Sequence, residues 1–179
     1  MIKELTVHPK PKSNNAKIAT LIFVLISAVG FIFYFQMEAY KGVVGVAALC
    51  ALTTGILLYT KFVSPEFYYD ITFDANEEPI FVVRQVVGKR QTTLSRIGLA
   101  DISKVEKEVG EAYRKHKTPK YTRKYVYAPT MFPKEIYRLT VKNRYEEAEI
   151  VIECSDEFAA LLKDYSKEAK ANREAEGEE

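Results

Sequence analysis

The sequence predicts an α+β membrane protein: a two-helix transmembrane hairpin, then a domain of antiparallel strands closed by a C-terminal α-helix. Three patterns carry that expectation. Residues 18–35 and 43–59 are almost unbroken apolar runs with only residues 36–42 between them, and each is about as long as the roughly 17–25 residues a helix needs to cross a bilayer core. Beyond them, apolar and polar side chains alternate with the period of two that marks half-buried strands. After Ser155 the apolar positions change to a helical period.

The 179 residues carry a formal net charge of +2, so the bulk composition averages a greasy segment with a charged one. Residues 64–179 are enough for one compact domain with its own core. Cys50 falls inside the second apolar run and Cys154 ends a strand-like stretch. Membrane depth would keep them apart, so no disulfide is expected. With His8 and His116 far apart in the sequence and no ligand spacing, no metal site is expected either, and no cofactor.

The tail of residues 1–17 carries Lys3, Lys10, Lys12 and Lys17 against Glu4, while the connector has Lys41 against Glu38. The positive-inside rule then keeps this basic tail cytoplasmic, and two crossings return the rest of the chain to the same side. The expected location is the cell membrane, multi-pass, with both termini cytoplasmic. The hairpin occupies residues 18–63, with spans at about 18–35 and 43–62. Tyr34, Phe35 and Tyr40 sit where the first helix would leave the bilayer, Tyr59 and Phe62 where the second would return, and Lys61 can snorkel. A cleaved signal peptide fits the first run poorly: the run is long for an h-region, has no small-residue cleavage site after it, and is followed by a second span. Neither span has an ionisable residue at its core, which removes the main support for a pump or transporter. Gly45, Ala48 and Gly55 form a small-residue face for close helix–helix approach, either to the first helix or to a second copy in a homodimer.

In the domain that follows, Phe67, Tyr69, Ile71 and Phe73 alternate with Tyr68, Asp70 and Thr72 as a half-buried strand. Residues 74–79 read as a turn, residues 80–87 as a more buried strand, Gly88 and Lys89 as a tight reversal, and residues 90–95 as a polar strand. Later, residues 137–142 and 148–154 alternate again, with residues 143–146 as the hairpin turn between them. Ser155 is a good N-cap, with Asp156 and Glu157 in the first turn where carboxylates complement the helix dipole. Phe158, Leu161, Leu162 and Tyr165 make the apolar stripe of a covering helix over about residues 156–171, and residues 172–179 read as an acidic tail. Leu99, Ile102, Val105, Val109 and Ala112 fit a helical period, but residues 97–108 also read as an edge strand, adopted because neighbouring strands otherwise lack a partner. A basic, tyrosine-interleaved loop follows, with Arg114, Lys115, Lys117, Lys120, Tyr121, Arg123 and Lys124. Pro119, Pro129 and Pro133 argue against regular structure through much of residues 117–133.

Two N-terminal spans, a series of short strands and one amphipathic C-terminal helix resemble the membrane-anchored bacterial proteins with a PH-like domain. The best local match is Gln91-Thr92-Thr93-Leu94-Ser95-Arg96-Ile97 continuing to Asp101-Ile102, similar to that family's third-strand segment, although the proline common there is missing and extra residues precede Asp101. The resemblance implies a seven-stranded antiparallel β-sandwich or partly open barrel over residues 64–171, closed by the helix, and it implies no shared catalytic activity. Fold-level likeness gives no function by itself.

The functional expectation is a non-enzymatic, membrane-anchored interaction module at the cytoplasmic face, recognising a protein partner or an anionic lipid surface through the basic loop. Each Lys or Arg near an anionic leaflet is worth about 1 kcal/mol. An enzyme or accessory subunit is the competing class, but Asp70, Asp74, Glu77 and Glu78 surround a turn, where carboxylates are solvated, and no nucleophile with an oriented base is in view. With no Gly-rich phosphate loop there is no small-molecule substrate to name. Nucleic-acid binding is not expected, because the domain is not basic overall and faces a membrane.

Overall fold

The computed structural model describes residues 2–36, 38–110, 117–119, 122–142 and 147–176. The chain divides into two compact units: a sheet unit holding the chain up to Lys10 and most of it from Glu66 onward, and a helical unit built chiefly from Pro11–Pro65.

In the helical unit, α1 (Asn15–Gln36) and α2 (Lys41–Leu58) are antiparallel neighbours, and α2 runs on through one π-helical turn, Tyr59–Val63. At 1.5 Å per residue the 22 residues of Asn15–Gln36 span about 33 Å. Lys41–Val63 has 23 residues, and the two have mean hydropathies of 2.5 and 2.0, so both are long and apolar enough to cross a membrane. Their outward positions are bare Leu, Ile and Val side chains such as Leu21, Leu25, Ile32, Val46 and Leu57. Between the helices the surfaces are small. A Cβ on Gly30 would lie 2.9 Å from the Ala48 methyl, one on Gly45 would lie 3.0 Å from the Tyr34 ring, and Gly55 faces Phe23 and Val24. Such contacts let two backbones approach closely and gain dispersion along their length.

The sheet unit is α+β, with two four-stranded sheets and a C-terminal helix among its described residues. The first sheet has the order β1-β2-β3-β4, from β1 (Leu5–Val7), β2 (Pro65–Phe73), β3 (Pro79–Val87) and β4 (Arg90–Gly98). A 3-10 turn, Leu99–Asp101, leads to the second sheet, ordered β5-β7-β8-β6, from β5 (Ile102–Val109), β6 (Arg123–Tyr127), β7 (Glu135–Lys142) and β8 (Glu147–Ile152). The strand reading of the ambiguous middle therefore holds over Ile102–Val109. Residues 111–113 of that stretch and the expected turn at 143–146 lie outside the described residues.

Three expectations need correction. The strands number eight among the described residues, because the N-terminal tail contributes β1, with Leu5 opposite Ile71 and Val7 opposite Tyr69. Three residues of alternation are too short to stand out in a lysine-flanked tail. The sandwich is also not wholly antiparallel, since β6 runs parallel to β8 with Tyr125 opposite Ile150. Lastly, Arg123–Tyr127 is a strand rather than a loop. Its prolines lie outside it, and its Tyr-Val-Tyr run is the aromatic and β-branched chemistry that suits a pleated surface.

The inward faces of both sheets meet in one core of Phe67, Tyr69, Ile71, Phe81, Leu139 and Ile152, among others. The helix α3 (Asp156–Glu176) adds Phe158, Ala159, Leu162 and Ala169 to it. Ser155 caps this helix as expected, its Oγ accepting from the Phe158 N–H at 3.2 Å. Phe158 lies against the rings of Tyr69 and Phe81, and burying such a side chain is worth about 1.5–3 kcal/mol. Leu161 stays at the exposed margin of the stripe. The helix also runs past residue 171 into the segment expected to be tail, where Arg173 donates to Asp101 at 2.8 Å. A polar last turn can thus be held by a charge on the sheet that periodicity does not reveal. Inside the core, the Tyr69 hydroxyl donates to the Tyr127 carbonyl at 2.5 Å and links β2 of one sheet to β6 of the other. Burial pushes its pKa far above the ordinary tyrosine value.

Candidate functional site

Because Leu5, Val7, Tyr69, Ile71, Phe81 and Val83 pack inward, the intervening residues of β1, β2 and β3 stand on the outer face of the first sheet. There they line a concave pocket of about 580 Å³, within the size range of ligand sites. Its centre is Asp70, only 6% exposed. Arg84 on β3 grips this carboxylate with both Nε and Nη2, and Thr6 Oγ1 on β1 donates to it at 2.7 Å. The bond to Asp70 is the main reason the Arg84 guanidinium is held even more firmly charged than usual. Beside it, Thr72 donates to Glu4 at 2.9 Å, and His8 stacks on Tyr68 at 4.5 Å between ring centroids.

Asp74 at the pocket's end is spent on its own turn, where its Oδ1 accepts from the backbone N–H groups of Asn76 and Glu78. The carboxylates that the sequence grouped around this turn are thus divided by role: Asp70 is buried in the sheet, Asp74 holds the turn, and Glu78 lies 3.6 Å from Arg173. β4 supplies Gln91, Thr93 and Arg96 to the opposite wall, Arg96 lying directly across from Val82. Arg96 is exposed and has no ion-pair partner among the described residues. The lining offers hydroxyls, an amide, a guanidinium without an ion-pair partner among the described residues and a floor of Val82 and Ile80, groups that can hold a polar ligand. Sequence reasoning passed over this face because its parts come from four strands. The out-facing alternation of Thr6, Asp70, Arg84 and Arg96 was the available signal.

The second sheet buries charge on its outer face. Arg138 of β7, 1% exposed, donates to both Glu108 oxygens at 2.8 Å and to Glu149 at 2.5 Å. Thr118, in the stretch that carries the chain from β5 at one edge to β6 at the other, donates to the same Glu149 oxygen at 2.9 Å. A bidentate arginine between two carboxylates is a strong geometric pin when all members are satisfied. At the start of α3, Tyr137 donates to Asp156 at 2.5 Å and Lys107 to the same carboxylate at 2.9 Å. Desolvation, then the bond to Asp156, push the Tyr137 pKa up to about 12.

Of the basic loop, Lys117 is exposed, while Arg123 and Lys124 stand on β6 opposite Ala148 and Glu149. Arg123 and Lys124 are both exposed, and as successive strand residues they start from opposite faces of the sheet. Arg114, Lys115, Lys120 and Tyr121 lie outside the described residues. Gly45, Ala48 and Gly55 are buried in the helical unit and face α1 of the same chain, so a homodimer through these three positions would have to displace α1. Among the described residues no cluster of three His, Cys, Asp or Glu side chains forms a metal site, and Cys50 and Cys154 are not joined in a disulfide. No protein-family model, curated protein or solved structure matches the chain.

Proposed function

We propose that the chain is a non-enzymatic, membrane-anchored interaction module whose helices cross the cell membrane as a hairpin and whose PH-like domain recognises a partner at the cytoplasmic face. One observation carries this reading: β1, which precedes α1, pairs with β2, which follows α2. Two segments hydrogen-bonded in one sheet must lie on the same side of any bilayer. Helices inserted between them must therefore cross an even number of times, as a hairpin does. The bare apolar side chains around the helix pair support insertion, since exposing so much contiguous apolar surface to water is costly. The two sheets closed by a C-terminal helix support the PH-like assignment.

The recognition surface is the outer face of the first sheet. Asp70 and Arg84 satisfy each other and Glu4 engages Thr72, which leaves Arg96 as the guanidinium for a partner's carboxylate, with Thr93 and Gln91 beside it. The partner is a protein segment bearing an acidic side chain. Purification of the tagged full chain in native membrane patches tests this. A protein retained by the wild type and lost from Arg96→Glu is expected, and recovery of the same proteins by both would overturn the assignment of the surface.

A further inference from the structure

The first sheet has two unlike ends. β2 and β3 have nine residues each and are joined by the turn at residues 74–78, so Val87 returns to the level of Pro65. The chain enters β2 at Pro65 with only Ser64 after the helical turn that ends at Val63. One extended residue reaches only about 3.5 Å, so this end of β2 stays close to the end of the apolar helix. Neighbouring strands are about 4.8 Å apart, which sets the β3–β4 reversal within about 10 Å of β2, on the order of a Debye length. At that reversal Val87 is 42% exposed, and Gly88 turns the chain with φ of +60° into open space. Lys89 and Arg90 are exposed and have no ion-pair partner among the described residues. The opposite end of the same strands holds Asp74, Glu77 and Glu78. The end that follows the helices thus carries Lys89, Arg90 and an apolar tip beside one acid, Glu66, and the other end is acidic.

We propose that this reversal is a bilayer-contact element: Val87 enters the interface and Lys89 and Arg90 hold anionic headgroups. It gives the domain a lipid contact of its own beside the helical anchor. The inference rests on the anchoring reading above. It places the lipid contact at residues 87–90 rather than in the 114–124 stretch.

The chain contains no tryptophan, so single introduced tryptophans report depth through quenching by lipids brominated on the acyl chain. Three full-length variants are reconstituted in vesicles of phosphatidylcholine alone and of phosphatidylcholine with phosphatidylglycerol in equal parts: Val87→Trp, Phe73→Trp at the acidic end, and Leu49→Trp in α2. The expected result is quenching of Trp at 49 in both lipids, quenching at 87 that strengthens with phosphatidylglycerol, and none at 73. Adding Lys89→Gln and Arg90→Gln removes two charges and weakens the tip's association roughly thirtyfold, at about 1 kcal/mol per charge, which returns position 87 to the level of 73. Quenching at 49 with none at 87 overturns the contact and leaves the anchor standing. Absence of quenching at both 49 and 87 overturns the anchor and the contact together.

Discussion

Replacing Arg138 by methionine keeps most of the side-chain volume and removes the charge. In the folded chain this guanidinium is 1% exposed and makes three hydrogen bonds of 2.5–2.8 Å to Glu108 and Glu149, the latter 5% exposed. The variant takes this buried guanidinium away from two carboxylates packed on the outer face of the second sheet. Breaking a buried pair from one side costs about 3–5 kcal/mol, a large part of the ~5–15 kcal/mol that holds a typical domain together. Removing the two carboxylate charges as well, with Glu108→Gln and Glu149→Gln, should recover more than half of the loss, since most of the penalty comes from burying them without this guanidinium. The assay is urea unfolding of the full chain in detergent micelles, followed by near-ultraviolet circular dichroism of the tyrosines, which reports the sheet unit's packing. A loss below about 1 kcal/mol for Arg138→Met, the level of an exposed ion pair, would refute the buried pin. So would a triple variant no more stable than the single one.

Other outcomes follow from single contacts. Glu77 adopts φ of +62° at the close of the β2–β3 turn, so Glu77→Gly should stabilise the fold by about 1 kcal/mol, read as a higher urea midpoint. Gly30→Ala presses a methyl to 2.9 Å from that of Ala48 and should lower the thermal midpoint of the helical signal in micelles, while adding Ala48→Gly moves the methyl across and restores it. In an alkaline absorbance titration Tyr137 should ionise near pH 12 and Tyr69 only on unfolding. Their folded pKa values lie above the unfolded value of about 10, so their stabilising effect is complete below pH ~10 and is lost as the pH rises towards 12.

What was readable in the sequence was what periodicity encodes. The apolar runs, the alternation at Phe67 to Phe73, and the cap at Ser155 each repeat or punctuate locally, and the structure carries α1, α2, β2 and the start of α3 where those signals stood. What escaped was set by partners distant in the chain. β1 is three residues whose strand character depends on Tyr69 and Ile71, more than sixty positions away. β6 was hidden among prolines and lysines, and its parallel pairing with β8 depends on the chain changing edges of a sheet. The pocket escaped for the same reason: Thr6, Asp70, Arg84 and Arg96 are polar residues on separate strands, and only the register makes them neighbours. Glycine and alanine spacing on α2 was legible as a packing face, whereas its occupant, the Phe23 to Tyr34 stretch of α1, needed the structure.

The central claim is a hairpin whose flanks meet on one side of the membrane. With Cys50 and Cys154 changed to alanine, single cysteines at Lys3, Tyr40 and Glu66 can be labelled with a membrane-impermeant maleimide, in intact bacterial spheroplasts and in inside-out vesicles of the same cells. The account predicts that positions 3 and 66 label only in inside-out vesicles and position 40 only in spheroplasts. Labelling of 3 and 66 from opposite faces, or of all three from one face, would contradict it.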